Sequence, residues 1–417
     1  MNILQEYCDE TLLFHSCFNL QNTHLAKVSE ASKLLIEPLS LISYLKLFID
    51  MTCNLHHTMY RRIRTISKLN YVQGHKDVIP SHNCHRYMSQ VPNEYAEPKE
   101  ISIPVPWGHL AGRQWGNSQS GKPILALHGY LDNAASMNGL LPLLPLAEYN
   151  IVAIDLPGHG FSSHLAPGMT YRISDAMVAI RRIQLHLGWE KSHIIAHSMG
   201  AAIAAWFAAT FQENVDRLAL IDLISVGPTS LQKQVKTTKK SIQKNIDMND
   251  KLANAKEPPS YTFVDACGRA FLANQFIHGT DSISRSSVET MMSRGLKKVG
   301  VNKNGEDLFT WTTDLRLRIP TPFNVVPEQA EHYAENVQCP LLIIKASDSP
   351  WYMSEEHAEK LLKVYSNNNP NFVFKKVEGG HHVHLNEPEK VAPLINRFLE
   401  KQFKDSGTED KQNIPFN

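Results

Sequence analysis

The sequence predicts an α/β fold: a mostly parallel sheet with helices on both faces. Three observations point there. Seven short runs, "ISIPV", "PILALHG", "NIVAIDL", "SHIIAHS", "RLALIDL", "PLLIIKA" and "NFVFKKV", are apolar, largely β-branched, and read as strands. Near-continuous apolarity is what strands buried on both faces require. Helical patterns separate the runs, and alternating strand and helix is the sequence mark of parallel crossovers.

The elements follow in chain order. Residues 1–97 lack this texture and read as an N-terminal extension, helical or poorly structured. Their one apolar run, "LLIEPLSLISYLKLFIDM", contains Glu37, Lys46 and Asp50, with Pro38 near its start. A bilayer span needs about 20 largely uncharged apolar residues. The run is therefore expected to be a short amphipathic helix, not a stable membrane span. From Met59, the basic residues Arg61, Arg62, Arg64, Lys68, Lys76 and Arg86 face a single acid, Asp77. That composition over 59–90 fits a transit-peptide-like segment, with translation able to begin at Met59, and equally fits a basic linker. His82, Cys84 and His85 lack a second ligand pair at finger-like distance, so no metal is expected there.

Residues 98–403 carry the strand–helix alternation. Between "RLALIDL" and "PLLIIKA" it stops for more than a hundred residues of largely helical pattern. Such an insertion is expected to cap the carboxyl ends of the strands, over about 224–335. Its Lys233, Lys236, Lys240 and Lys244 follow helical spacing and read as a solvated face. Residues 404–417 read as a flexible tail without a peroxisomal S-K-L ending.

Bulk properties narrow the function. The chain has 417 residues, 42% hydrophobic and 20% charged, with a formal net charge of +1. That balance offers no global attraction for nucleic acid or anionic membranes. Six scattered cysteines form no disulfide framework and suggest a reducing, intracellular setting. The expected compartment is the cytoplasm, or the mitochondrial matrix if 59–90 directs import.

The chemistry lies in "SHIIAHSMGAAIAAWFAA". Ser198 stands where an apolar strand meets an alanine-rich helix, the setting of a nucleophile elbow. Strand and helix cross tightly there, so the residues two before and two after the serine must be small. Gly200 satisfies this, and Ala196 adds one methyl group. An acid and then a histidine should follow in the chain. Asp348, just past "PLLIIKA", is the favoured acid, with Asp222 at the end of "RLALIDL" the rival; otherwise Asp222 would cap the insertion. His381, in the Gly-Gly turn of "VEGGHHVHLNEPE", is the favoured base over its neighbours His382 and His384. Three histidines there also raise a metal set, disfavoured because neighbours in a turn diverge. Backbone N–H groups of Tyr130, in "LHGYLDN", and of Met199 are the expected oxyanion donors. Gly158 and Gly160 in "IDLPGHGFSSH" lack the third glycine of a dinucleotide fingerprint. No cofactor is expected.

Together these motifs resemble the α/β-hydrolase superfamily, and within it the serine hydrolase-like (kraken-type) proteins. "LHGYLDNAASMNGLLPLLP", "IVAIDLPGHGFSSH", "IIAHSMGAAIA", "DLRLRIPTP", "CPLLIIKASDSPWY" and "VEGGHHVHLNEPEKVA" stand in that family's order. The resemblance spans about residues 98–403. It implies an eight-stranded, mostly parallel sheet with a helical cap inserted after the sixth strand. It also implies Ser198 as nucleophile, Asp348 as acid, His381 as base, and Tyr130 and Met199 as oxyanion donors. Two positions depart from the family: Ala196 stands where glycine is usual, and Tyr130 where an aromatic such as tryptophan is usual. The implied activity is hydrolysis of an ester or thioester in a small acyl substrate. Alternatives are acyl transfer or carbon–carbon hydrolysis on the same triad, or a non-catalytic binding protein. Substrate and oligomeric state are not legible.

Overall fold

A computed structural model describes residues 97–401, apart from positions 256, 281 and 323. The expectations for the N-terminal extension, for the histidine–cysteine cluster within it and for the tail lie outside the described residues. Eight strands form one sheet: β1 (Lys99–Val105), β2 (Gly108–Gly116), β3 (Lys122–Leu127), β4 (Tyr149–Ile154), β5 (Ser192–His197), β6 (Val215–Ile221), β9 (Leu341–Ala346) and β10 (Phe372–Val377). Their order is β1-β2-β4-β3-β5-β6-β9-β10. β2 runs antiparallel to β1 and β4, and every other pairing is parallel.

The inner apolar runs became strands because both faces are covered, whereas β1 buries only Ile103 and Val105. On β3, Leu125 and Leu127 join one core cluster, while Ile124 and Ala126 join the other. Side chains alternate across a pleat, so a strand feeding two cores must be apolar throughout. One cluster packs under α1 (Ile173–His186), α2 (Met199–Thr210), α6 (Pro327–Glu335) and α7 (Glu355–Asn368); the other packs under α9 (Pro388–Leu399). The sequence reading passed over β2, "GHLAGRQWG". Its glycines and polar residues hide a strand that pairs on both sides with only some positions buried.

Between β6 and β9 the chain forms α3 (Leu231–Asn254), α4 (Phe263–His278) and α5 (Arg285–Gly295). It also forms a hairpin, β7 (Leu296–Val301) with β8 (Asp307–Trp311), where an essentially helical insertion was expected. The strand β7, "LKKVGV", buries only its first residue, so it lacks the apolar run used to recognise strands. On α3, Lys233, Lys236 and Lys240 are exposed as expected, while Lys244 is half-buried.

A fully buried arginine ties the end of α5 to the sheet. Arg294 donates to Asp155, after β4, from Nη2 at 2.8 Å and Nε at 3.0 Å. Its Nη1 reaches both oxygens of Glu100 on β1, at 2.7 and 2.6 Å. Asp155 also accepts from the Ala134 and Phe161 amides, which fixes the turn around Pro157.

Candidate active site

Ser198 joins β5 to α2 with φ 51° and ψ −122°. A non-glycine residue there is strained, and the surrounding contacts must impose it. One is the Ser198 amide, which donates to Ile221 O on β6 at 3.0 Å. The other is the helix crossing at Gly200. A Cβ on Gly200 would sit 2.6 Å from His128 O and 2.8 Å from Leu127 O, both backbone atoms that cannot yield. Ala196 is fully buried, and its single methyl group packs within the core.

His381 follows β10 and turns onto the serine: its Nε2 lies 2.9 Å from Ser198 Oγ. Its Nδ1 lies 2.6 Å from Asp222 Oδ2. A carboxylate only accepts, so the Nδ1 proton donates to it and Nε2 keeps a lone pair for the serine hydroxyl. The loop is held through its backbone, since His197 Nε2–H donates to His381 O at 2.8 Å.

The favoured acid is corrected here. Asp348 does not meet His381; it is exposed, and its Oδ1 accepts from Ser347 Oγ at 2.7 Å. The Asp348 amide donates to Gly379 O at 3.0 Å, so it braces the histidine's loop from outside. Asp222, the rival, stands against the imidazole. It continues β6 in a left-handed conformation, φ 57°, and is fully buried. That bend turns its carboxylate under the histidine, where β9 places Lys345 Nζ 2.6 Å from the other oxygen.

The other turn histidines do not diverge as expected but pack, with His381, around His197. His382 Nε2 lies 3.6 Å from Asp132 Oδ2, and the His384 ring centroid lies 3.9 Å from that of His197. Among the described residues, no three histidine, cysteine or acidic groups are grouped to hold a metal ion. Sequence reasoning missed a contact from the insertion. His278, at the end of α4, stacks on His381 with centroids 4.2 Å apart, and its Nδ1 is 2.6 Å from Tyr352 Oη. No motif marks His278; its position follows only from how α4 docks.

The two expected oxyanion residues flank the serine. Gly129 precedes Tyr130, and a Cβ there would lie 3.2 Å from Ser198 Cβ, so this turn abuts the serine. Met199 opens α2, where first-turn amides have no intrahelical partner.

Electrostatics favour a neutral His381. Burial pushes the His381 pKa well below its ordinary value, and the nearby His197 and His382 imidazoles push the same way. Burial likewise lowers His278 and His384. Burial raises Asp222, opposed by the Lys345 ammonium.

A strained serine on a strand–helix turn, a histidine on its oxygen and a buried acid behind, on an eight-stranded sheet of this order, define the α/β hydrolase fold. A model described as that fold matches residues 122–388, and the chain belongs to this family. Within it, the chain is similar to the serine hydrolase-like protein of Danio rerio, 33% identical over 73% of this chain and 90% of that one. A probable serine hydrolase of Drosophila melanogaster is 35% identical over 73% of this chain and 88% of that one. The crystal structure of a hypothetical protein from Pseudomonas aeruginosa PAO1 superposes with a TM-score of 0.61 at 31% identity, covering 73% of this chain and 99% of its own. Among the described residues, no helix is long and apolar enough to cross a membrane.

Proposed function

We propose that this protein is a serine hydrolase that cleaves an ester-type bond, carboxylic ester or thioester, in a small acyl substrate. The observation that carries the reading is the hydrogen-bonded line Ser198 Oγ, His381 Nε2, His381 Nδ1, Asp222 Oδ2, at 2.9 and 2.6 Å. In this reading, His381 takes the Ser198 proton as Oγ attacks the acyl carbon. Asp222 holds the imidazole's tautomer and stabilises the imidazolium. The Tyr130 and Met199 amides face the developing oxyanion, and each such donor is worth about 10²–10³ in rate. His381 then gives its proton to the leaving group, and water attacks the acyl-enzyme with the same base. The insertion after β6 serves as the cap that shapes the acyl pocket, over about 224–335.

A fluorophosphonate probe tests this directly, since it phosphonylates an activated serine. Wild-type protein should label rapidly, and Ser198→Ala should not label. Equal labelling of the two would refute the assignment.

A further inference from the structure

The buried lysine beside Asp222 has no part in the chemistry described so far. Lys345 interrupts the otherwise apolar "LLIIKA" of β9, and every residue of that strand is buried. The β6–β9 register pairs Ile221 with Ile344, which sets Asp222 and Lys345 side by side at the strand ends. Lys345 Nζ lies 2.6 Å from Asp222 Oδ1, 2.7 Å from Ser349 O and 3.0 Å from Ala346 O. All three partners only accept. A neutral amine has two N–H groups and would turn its lone pair on an oxygen, so the ammonium is the form this cage fits. Asp222 Oδ1 also accepts from the Ala346 amide at 3.0 Å. With Oδ1 held twice, Oδ2 is left for His381.

We propose that Lys345 is a positioning residue: its ammonium keeps the buried Asp222 ionised and aims the carboxylate at His381. The proposal rests on the reading of Ser198, His381 and Asp222 as a triad. A carboxylate this deeply buried tends to take up a proton unless a cation or donors hold its charge. Protonated Asp222 neither orients the imidazole nor stabilises the imidazolium. The Lys345 charge also disfavours a proton on His381, which keeps the base free at lower pH. Removing the ammonium acts in one direction through both routes. Either Asp222 or His381 binds a proton more readily, so activity is lost at a higher pH on the acid side.

Other ionisable groups surround the pair. His197 faces it from β5, His278 from α4, His382 and His384 from the turn after β10, Asp132 from the loop after β3, and Tyr352 from the segment after β9. The Lys345 variants leave the identity of each of them unchanged.

The test is the rate of fluorophosphonate labelling against pH, from about pH 5 to 9. In Lys345→Met the acid limb should move up by about one pH unit or more. Lys345→Gln, which keeps a donor but no charge, should move it in the same direction. In an Asp222→Asn background the route through the carboxylate is gone, so Lys345→Met should move the acid limb by less than it does alone, as a coupled pair requires. An acid limb that stays put in folded Lys345→Met, or full additivity with Asp222→Asn, would overturn the proposal. If neither variant folds, side-chain ¹⁵N NMR of the wild-type lysines decides: a neutral Lys345 amine at pH 7 overturns it, and an ammonium upholds it. Wild-type labelling that ignores Ser198→Ala would instead sink the triad reading, and the NMR result would stand apart from it.

Discussion

Replacing Asp222 by asparagine removes a charge from behind the base while nearly keeping its shape. Two unit charges at the 2.6 Å separation of Asp222 Oδ2 and His381 Nδ1 attract by about 6 kcal/mol at an effective dielectric near 20. Lys345 sits on the far oxygen, a carboxylate's width further away, and repels an imidazolium by roughly half as much. Lys345 is present in both proteins, so its repulsion cancels from the comparison, and the loss expected from the Asp222 charge alone is about 6 kcal/mol, or about 10⁴ in rate. An asparagine amide facing Nδ1 also favours the wrong tautomer, which works in the same direction. Asp348→Asn touches neither effect and should stay within about twofold of wild type, as surface changes usually do. The assay is the second-order rate of fluorophosphonate labelling at neutral pH, with unfolding midpoints of all three proteins as controls. A folded Asp222→Asn that labels within tenfold of wild type would refute the argument. So would a large loss in Asp348→Asn.

Three further outcomes are expected. Gly200→Val should abolish labelling and lower the unfolding midpoint, because its side chain meets the His128 and Leu127 carbonyls; Ala196→Gly should label normally and lose only about 0.5–1 kcal/mol, and normal labelling by Gly200→Val would discard the tight-crossing account. Arg294→Met should destabilise by about 3–5 kcal/mol in urea unfolding, because Asp155 stays buried without its cation. Glu100→Gln, at the half-exposed end of the same network, should lose under about 1 kcal/mol, and equal effects would contradict this division. Stability should also fall with acid. His278, His381 and His384 have folded pKa values below 6.5, so below that pH the unfolded chain binds more protons and stability declines as pH drops. Urea midpoints at pH 7.5 and 5.5 check the sign; a higher midpoint at pH 5.5 would reverse it.

The parallel strands were legible because a doubly covered strand carries a continuous apolar run, as "ILAL" in β3 and "IIA" in β5 do. β2 and the β7–β8 hairpin were not, since glycine, charged and polar residues interrupt their apolar positions. Ser198 and His381 could be read from local turn chemistry. Which aspartate meets His381 could not, because two strand ends each offered one and only three-dimensional register separates them. A clue was nonetheless present: the lysine inside "LLIIKA" sits in a fully buried strand and needs a buried anion. Asp348 follows the same strand but turns outward, whereas the neighbouring β6 ends on Asp222. His278 had no local signal, because helix docking brings it to the site.

The insertion and the catalytic turn are stitched together at several points. The His382 amide donates to Ser282 O at 3.2 Å, the Asn386 side chain donates to the same carbonyl at 3.2 Å, and His278 stacks on His381. The part that would choose the substrate is thus in direct contact with the part that would move the proton. This limits modular engineering: a graft that swaps residues 223–340 for a relative's segment exchanges the base's supports along with the pocket. Transplants that retain His278 and Ser282 keep those joints, and a pocket redesigned inside that frame can vary without disturbing the histidine.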